Sequence, residues 1–196
     1  MLKKNILSIF LCFLCLNLFA EEKSIDDSKY DDKTTIEFCL ETDTKRFCLY
    51  HNINNIKGID TEKCEVVKDW STDKVIRKWL KLTYNELSVT WNYSNGAIVF
   101  LETMSPIWRT KRGIKVGDPI NKVKEVYGND SNLAFFDYKS KKYNYEPTQK
   151  GKLFLLMESD DGFSLNAGNF LEEEMMTILF HNVDGKISKI EVLIGH

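Results

Sequence analysis

The stretch Trp79–Thr103, WLKLTYNELSVTWNYSNGAIVFLET, alternates apolar and polar residues in three runs that two turn signals separate. One signal is Asn85–Glu86, and the other contains Asn95–Gly96, a dipeptide that supplies the positive φ angles of a type I′ hairpin. Counting outward from the two turns predicts four cross-strand pairs: Leu80–Trp91, Leu82–Val89, Trp91–Phe100 and Tyr93–Ile98. Because both turns assign these apolar side chains to one face, the stretch predicts a three-stranded antiparallel meander.

A second hairpin is predicted upstream, where TIEFCLE and KRFCLYH flank a turn at Asp43–Thr44. In this register Cys39 lies opposite Cys48 at a non-hydrogen-bonded pair, where cross-strand side chains approach most closely. The sequence therefore predicts a Cys39–Cys48 disulfide. Cys64 is then left as a single thiol among the cysteines that follow residue 20.

Downstream, one short helix is predicted, because Asp118 suits an N-cap, Pro119 a first helical position and Gly128 a left-handed residue at the end. Four strand-like runs follow, LAFFDY, KLFLLMES, MMTILFHNV and KISKIEVLI, and the last two flank Asp184–Gly185. Residues 160–174 predict a loop, whereas residues 52–75 give no clear pattern. Hairpins dominate, so the predicted fold class is α+β, a curved antiparallel sheet with one or two short helices.

The first 20 residues have the layout of a secretory signal peptide. Lys3 and Lys4 precede an apolar run from Ile6 to Phe19, and Ala20 is followed by two glutamates. A bilayer-spanning helix needs about 20 apolar residues, so this run is too short to serve as one. We predict cleavage after Ala20, a periplasmic or secreted product and no transmembrane span in the mature chain; an uncleaved anchor is the alternative.

Composition sets further limits on the mature chain. Residues 21–33 are charged and poor in large apolar groups, which predicts a disordered acidic lead-in. Residues 34–196 then form a single α+β domain, or two small halves that divide near residues 105–117. Beyond residue 20 there are 25 basic and 29 acidic residues, because the leader contains two lysines and no acid. Without a basic excess to attract phosphate groups, nucleic-acid binding is disfavoured.

A zinc site is the alternative use of the cysteines. Cys39, Cys48, His51 and Cys64 supply four ligands that suit tetrahedral zinc. On an extended strand, however, residues three apart point to opposite faces, so Cys48 and His51 should diverge. Export also favours oxidation of two facing cysteines. The disulfide is therefore preferred, and we predict neither a metal nor a cofactor.

No convergent catalytic set is recognisable in the sequence. The chain lacks a Gly-x-Ser-x-Gly nucleophile elbow, and its three histidines are His51, His181 and the terminal His196. A small secreted hydrolase or thiol enzyme, which would use Cys64 or His181 with an acidic cluster, is the alternative to a non-enzymatic protein. We predict no catalytic residue.

The segment from Thr110 to Gly128, TKRGIKVGDPINKVKEVYG, resembles a segment of small exported bacterial proteins. In those proteins a strand leads through a Gly-Ile-x-x-Gly-Asp turn into a short helix. The segment is similar to outer-membrane assembly lipoproteins of the SmpA/BamE type and to the β-lactamase-inhibitor-protein-like fold, both of which are helix-plus-antiparallel-sheet binding modules. The resemblance implies an exported, non-catalytic binding protein, whose partner is an unidentified protein or envelope component.

Overall fold

A computed structural model describes residues 37–69, 71–72, 77–128, 133–137, 142–143, 153–168 and 175–195. The predicted signal peptide and acidic lead-in lie outside these residues. Thirteen strands are described: β1 (Cys39–Glu41), β2 (Arg46–Cys48), β3 (Glu65–Asp69), β4 (Lys78–Tyr84), β5 (Leu87–Asn92), β6 (Ile98–Thr103), β7 (Arg109–Thr110), β8 (Leu133–Asp137), β9 (Lys142–Tyr143), β10 (Leu153–Ser159), β11 (Gly162–Gly168), β12 (Met175–Val183) and β13 (Lys186–Gly195). The one α-helix among the described residues is α1 (Asn121–Tyr127), and short 3₁₀ turns occupy Ile53–Asn55 and Thr61–Lys63.

Ten strands form one large sheet, in the order β3-β4-β5-β6-β13-β12-β11-β10-β8-β9. Neighbours are antiparallel except β10 and β8, which pair in parallel. The remaining three strands form a small sheet in the order β2-β1-β7. The pairing of β6 with β13 joins an N-terminal meander to a C-terminal one, and so brings distant parts of the chain side by side.

The predicted α+β class is wrong, because strands make up most of the described residues and α1 is only seven residues long. Part of the error lies in residues 160–174, which were expected to form a loop; residues 160–168 of this segment are described, and residues 169–174 lie outside the described residues. Asp160–Asp161 is a tight turn, and β11 begins at once with Gly162. Its small and polar residues favour a loop by composition, but Phe163 and Leu165 alternate inward as a strand requires. The fold is therefore nearly all-β, built on the predicted antiparallel hairpins.

The central meander is confirmed as β4, β5 and β6, and the pairs Leu80–Trp91 and Leu82–Val89 are present. The pairs predicted around Asn95–Gly96 are wrong, because Trp91 lies opposite Ile98 and a bulge follows Thr90. The amide of Gly96 donates to the carbonyl of Asn92, so the connection is longer than a two-residue turn. The longer loop and the bulge together shift the register of β6.

The apolar faces of both sheets and of α1 meet in one core. Phe47 of β2 contacts Tyr84 of β4 and Trp108, with ring centroids 5.8 and 5.6 Å apart. Tyr127 of α1 contacts Phe180 of β12 with ring centroids 6.1 Å apart. The largest fully buried side chains are Trp108, Tyr127, Phe38, Phe47, Phe180, Leu40, Leu49, Ile53, Leu87, Ile98, Leu101 and Ile114. Burial of these apolar side chains is the main favourable term in folding.

The helix lies where it was predicted, but its two ends differ from the prediction. Asp118 is not the N-cap; its carboxylate accepts from the Lys115 amide at 3.0 Å and from Lys122 Nζ at 2.8 Å, which ties the preceding turn to the helix. Gly128 has a φ of −68°, so the predicted left-handed ending is wrong. A Cβ at Gly128 would instead lie 2.5 Å from the carbonyl oxygen of Lys124. Close backbone packing therefore explains this glycine.

The predicted hairpin at Asp184–Gly185 is confirmed, with positive φ angles at both residues. Backbone hydrogen bonds join this hairpin to the start of α1: Ile120 N donates to the Gly185 carbonyl, and Ile187 N donates to that of Asp118. Among the described residues, no helix combines the length and the apolar character needed to cross a bilayer.

Candidate functional site

The disulfide predicted at the β1–β2 hairpin is present. Cys39 lies directly opposite Cys48, their Cα atoms are 4.1 Å apart and both side chains are fully buried. Because the two sulfur atoms are bonded to each other, they are not the thiolates that the zinc alternative requires. Across the described part of the chain, no three His, Cys, Asp or Glu side chains are placed to hold a metal ion.

The other two members of the zinc set, His51 and Cys64, lie in connecting segments. The His51 carbonyl accepts from the Ile98 amide at 2.9 Å and so ties the chain after β2 to the start of β6. Cys64 follows the 3₁₀ turn Thr61–Lys63, and its half-buried side chain packs against the core. Both residues thus help to hold the fold together.

The thiol-enzyme alternative needs Cys64 close to an imidazole such as that of His181. Cys64 immediately precedes β3, whereas His181 lies on β12, and five strand spacings separate these two strands. Neighbouring strands lie about 4.8 Å apart, which puts the two groups roughly 24 Å apart along the sheet. The fold therefore keeps this thiol and this imidazole apart.

A row of polar side chains crosses the centre of the large sheet on the face opposite the apolar core. Ser88 of β5 lies opposite Glu102 of β6, and Glu102 lies opposite Glu191 of β13. Lys189, two residues before Glu191 on the same face, lies opposite His181 of β12. We call these five residues, Ser88, Glu102, Glu191, Lys189 and His181, the polar strip.

Four members of the polar strip are linked by ionic contacts. Glu191 accepts from Lys189 Nζ at 2.7 Å through Oε1, and its Oε2 lies 2.6 Å from His181 Nε2. Lys189 Nζ also lies 3.6 Å from Glu102 Oε2. Glu191 is the most shielded of the four, with 14% of its side chain exposed, whereas the Glu102 side chain is 33% exposed. The strip therefore has a firmly paired end and a looser one at Glu102.

The pKa values in the strip follow from these contacts. Burial by itself raises the pKa of Glu191, but hydrogen bonds from Lys189 and His181 outweigh it, so the pKa of Glu191 lies below its ordinary value. The hydrogen bond to Glu191 is the main reason that the pKa of Lys189 lies above its ordinary value. Glu191 and Lys189 are therefore both charged over the whole neutral range.

Ser88 is the buried member of the strip. Ser88 is 8% exposed, and its hydroxyl has no hydrogen-bond partner among the described residues. An unpaired buried hydroxyl is costly, so it points to a partner that the isolated fold does not supply. That hydroxyl does not form a catalytic triad with His181, because three strand spacings, about 14 Å along the sheet, separate β5 from β12.

A clamped turn lies beside the looser end of the strip. Asn85 and Glu86 form the β4–β5 turn, and both have positive φ angles. The Asn85 carbonyl accepts from Trp108 Nε1 at 2.7 Å, while the Glu86 carboxylate accepts from Ser105 Oγ at 2.7 Å. Thr103 Oγ1 also donates to the Glu86 carbonyl. These bonds fix the loop that follows β6 against the turn that precedes β5.

No known protein family, curated protein or solved structure matches the chain. The role of the strip must therefore follow from its own chemistry. Residues 110–128 resemble a segment of small exported bacterial proteins. They run from the end of β7 through a turn, with positive φ angles at Gly113 and Gly117, into α1. That order of elements positions the helix but contributes no member of the strip.

Two apolar side chains project from the clamped loop. Met104 follows the last residue of β6 and is 70% exposed, and Ile107 is 48% exposed. Between them, Ser105 is buried and bonded to Glu86. A rigid loop that presents apolar side chains loses little conformational entropy when they are covered, which is a property of preorganised binding surfaces.

The free edge of the large sheet is a second exposed surface. β3 pairs only with β4 among the described strands, all five of its residues are exposed, and Val66 and Val67 are about half exposed. A bulge separates Val66 from Lys68, and the Lys68 ammonium lies 5.0 Å from the centre of the Trp79 ring. Bulges and lysines on edge strands limit unwanted strand addition. The edge therefore has features that guard against pairing with other chains.

The sequence patterns indicated no member of the polar strip except His181, which was considered only as part of the hydrolase or thiol-enzyme alternative. Counting outward from the Asp184–Gly185 turn places His181 opposite Ser188. A register shift between His181 and Asn182 brings Lys189 opposite His181 instead, so the contact follows no local signal. The sequence could not assign Ser88 and Glu102 to the same strip as Glu191, because the pairing of β6 with β13 joins distant segments.

Proposed function

We propose that this chain is an exported, non-catalytic binding protein, and that the polar strip with its neighbouring loop is the surface that contacts the partner. The observation that carries the proposal is Ser88, a buried hydroxyl without a partner in the described part of the chain, beside the loosely paired Glu102. Exposed Met104 and Ile107 flank the same end of the strip. Such a combination of polar groups and projecting apolar side chains is typical of protein contact surfaces.

Export is supported by two independent features. The leader that ends at Ala20 has the charge and apolar pattern of a secretory signal, and the Cys39–Cys48 disulfide suits an oxidising compartment. We place the mature protein in the periplasm or outside the cell. The resemblance of residues 110–128 to exported binding modules agrees with this assignment.

A hydrolase is the second candidate, because a His181–Glu191 pair 2.6 Å apart has the geometry of the orienting half of a catalytic triad. Against it, Ser188 Oγ donates to the His181 carbonyl oxygen, and Ser88 lies about 14 Å away along the sheet. His181→Ala tests this candidate: any hydrolytic activity of the protein should survive the substitution if the pair is structural.

The binding proposal is tested by capture from the extracytoplasmic fraction, with the disulfide-bonded protein as bait. Met104→Asp together with Ile107→Asp should remove the captured partner, because both side chains project from the loop without supporting the core. Val183→Asp is the matched control, since Val183 is a 56% exposed apolar residue outside this surface. If all three baits capture the same proteins, the surface is wrongly assigned; a hydrolytic activity that His181→Ala abolishes would replace the binding role.

A further inference from the structure

Ser88 and Glu102 form a pair of acceptors at the looser end of the polar strip. They lie directly opposite each other on adjacent strands, so their Cβ atoms are about 5 Å apart. The Ser88 hydroxyl is buried and has no partner among the described residues, and the ion pair of Glu102 with Lys189 is long, at 3.6 Å. A carboxylate accepts up to about four hydrogen bonds, so Glu102 retains most of its capacity.

The charge of the strip favours a cation at this position. Two carboxylates, Glu102 and Glu191, face the single ammonium group of Lys189. Glu191 is already held by Lys189 and His181, so the unbalanced negative charge lies at Glu102. One arriving positive charge, together with that of Lys189, would balance the two carboxylates.

The neighbouring apolar side chain indicates which cation fits. Met104 follows Glu102 by two residues and is 70% exposed, so an aliphatic chain that passes over it would gain apolar contact. An arginine side chain combines such a stem with a planar group of five N–H donors, which can bond a carboxylate and a hydroxyl together. A lysine ammonium is a point charge and matches two adjacent acceptors less well.

We infer that the polar strip binds an arginine side chain of a partner protein, with its guanidinium donating to the partly exposed Glu102 carboxylate and, once the side chains that cover it move aside, to the Ser88 hydroxyl. The inference rests on the proposed binding function and names the chemistry of the partner. The aliphatic stem of the arginine lies on Met104, and Lys189 remains paired with Glu191. The contact supplies the hydrogen bond that Ser88 lacks.

The probe for this inference is the acetylated and amidated tripeptide Leu-Arg-Leu, added to the mature, disulfide-bonded protein. The matched probes replace arginine by citrulline, which keeps the shape but removes the charge, or by lysine. Binding is followed by two-dimensional NMR through the Ser88 amide and the Met104 methyl group, with Val66 and Val67 of the β3 edge as internal references.

Saturable shifts at Ser88 and Met104 are expected with the arginine peptide only, and they should weaken as the salt concentration rises. Glu102→Gln should weaken binding about tenfold and Ser88→Ala about threefold, because one charge-assisted and one neutral hydrogen bond are lost. Glu65→Gln, on the exposed β3 edge, should leave the affinity unchanged. Circular dichroism of each variant checks that the sheet is retained.

Equal binding of the citrulline peptide, or unchanged affinity in Glu102→Gln, would overturn the inference. Shifts confined to Val66 and Val67 would also overturn it and would favour the sheet edge. If no tripeptide binds but the Met104 and Ile107 variant still loses the captured protein, the arginine inference fails while the binding function stands. If that variant captures the same proteins as the wild type, the binding surface itself is wrong.

Discussion

The indole Nε1 of Trp108 donates a 2.7 Å hydrogen bond to the backbone carbonyl of Asn85, which has a φ of +45°. Trp108 is fully buried against Phe47 and Tyr84, so the indole is held in place by the core. The next residue, Glu86, has a φ of +64° and is bonded to Ser105. The β4–β5 turn is thus a type I′ turn without glycine that its surroundings stabilise.

The first prediction concerns the backbone strain at Glu86. A side chain at positive φ costs about 1 kcal/mol or more, and glycine avoids this cost. Glu86→Gly should therefore be more stable to urea than Glu86→Ala by about 1 kcal/mol. Both variants lose the bond from Ser105, so the difference between them isolates the backbone effect. Equal stability of the two variants would show that the turn carries no strain.

The second prediction concerns the disulfide. The bond closes a loop with a sequence separation of nine residues, and the chain-entropy estimate for such a loop is about 2.5 kcal/mol. Cys39→Ala with Cys48→Ala should lower the free energy of unfolding by that order, measured by urea denaturation. Cys64→Ala is the control, because Cys64 lies outside the bond and is only half buried. A loss as large in Cys64→Ala would point to packing of the thiol groups instead.

Turn positions explain which parts of the fold could be predicted from the sequence. Asn85–Glu86 and Asp43–Thr44 each fix the register of a local hairpin, and the pairs predicted around them are present. Asp184–Gly185 marks the predicted hairpin, but a register shift between His181 and Asn182 changes the pairing beyond the turn. The bulge after Thr90 follows no local signal, so the register of β6 was missed. Glu102 and Glu191 meet only because β6 pairs with β13, and the sequence patterns do not specify which hairpins lie side by side.

The third prediction separates two explanations of Gly128. A left-handed residue would tolerate asparagine better than alanine, but Gly128 has a φ of −68° and lacks space for any Cβ. Gly128→Ala and Gly128→Asn should therefore destabilise the protein alike, each by about 1–2 kcal/mol, because the end of α1 must move. Thermal unfolding of the two variants provides the measurement. If Gly128→Asn were clearly more stable than Gly128→Ala, the helix would end with a left-handed residue after all.

The fourth prediction concerns the pH dependence of stability at Glu191. The ordinary pKa of this group is 4.5, and the contacts with Lys189 and His181 lower it in the folded protein. A group with a lowered folded pKa contributes stability above its unfolded pKa and loses that contribution as the pH falls through the folded one. Glu191→Gln, which does not titrate, should therefore be less stable than wild type at pH 7, and the difference should shrink steadily below pH 4.5.

Chemical denaturation at a series of pH values measures this difference directly. The matched control is Glu65→Gln on the exposed β3 edge, which should unfold like the wild type at pH 7. Raised salt should reduce the Glu191 effect only in part, because 14% of that side chain is exposed and partly buried ion pairs are weakly screened. A constant difference between Glu191→Gln and wild type from pH 7 to pH 3 would mean that the carboxylate acts through its shape, and that the Lys189–Glu191–His181 contacts add no ionic stabilisation.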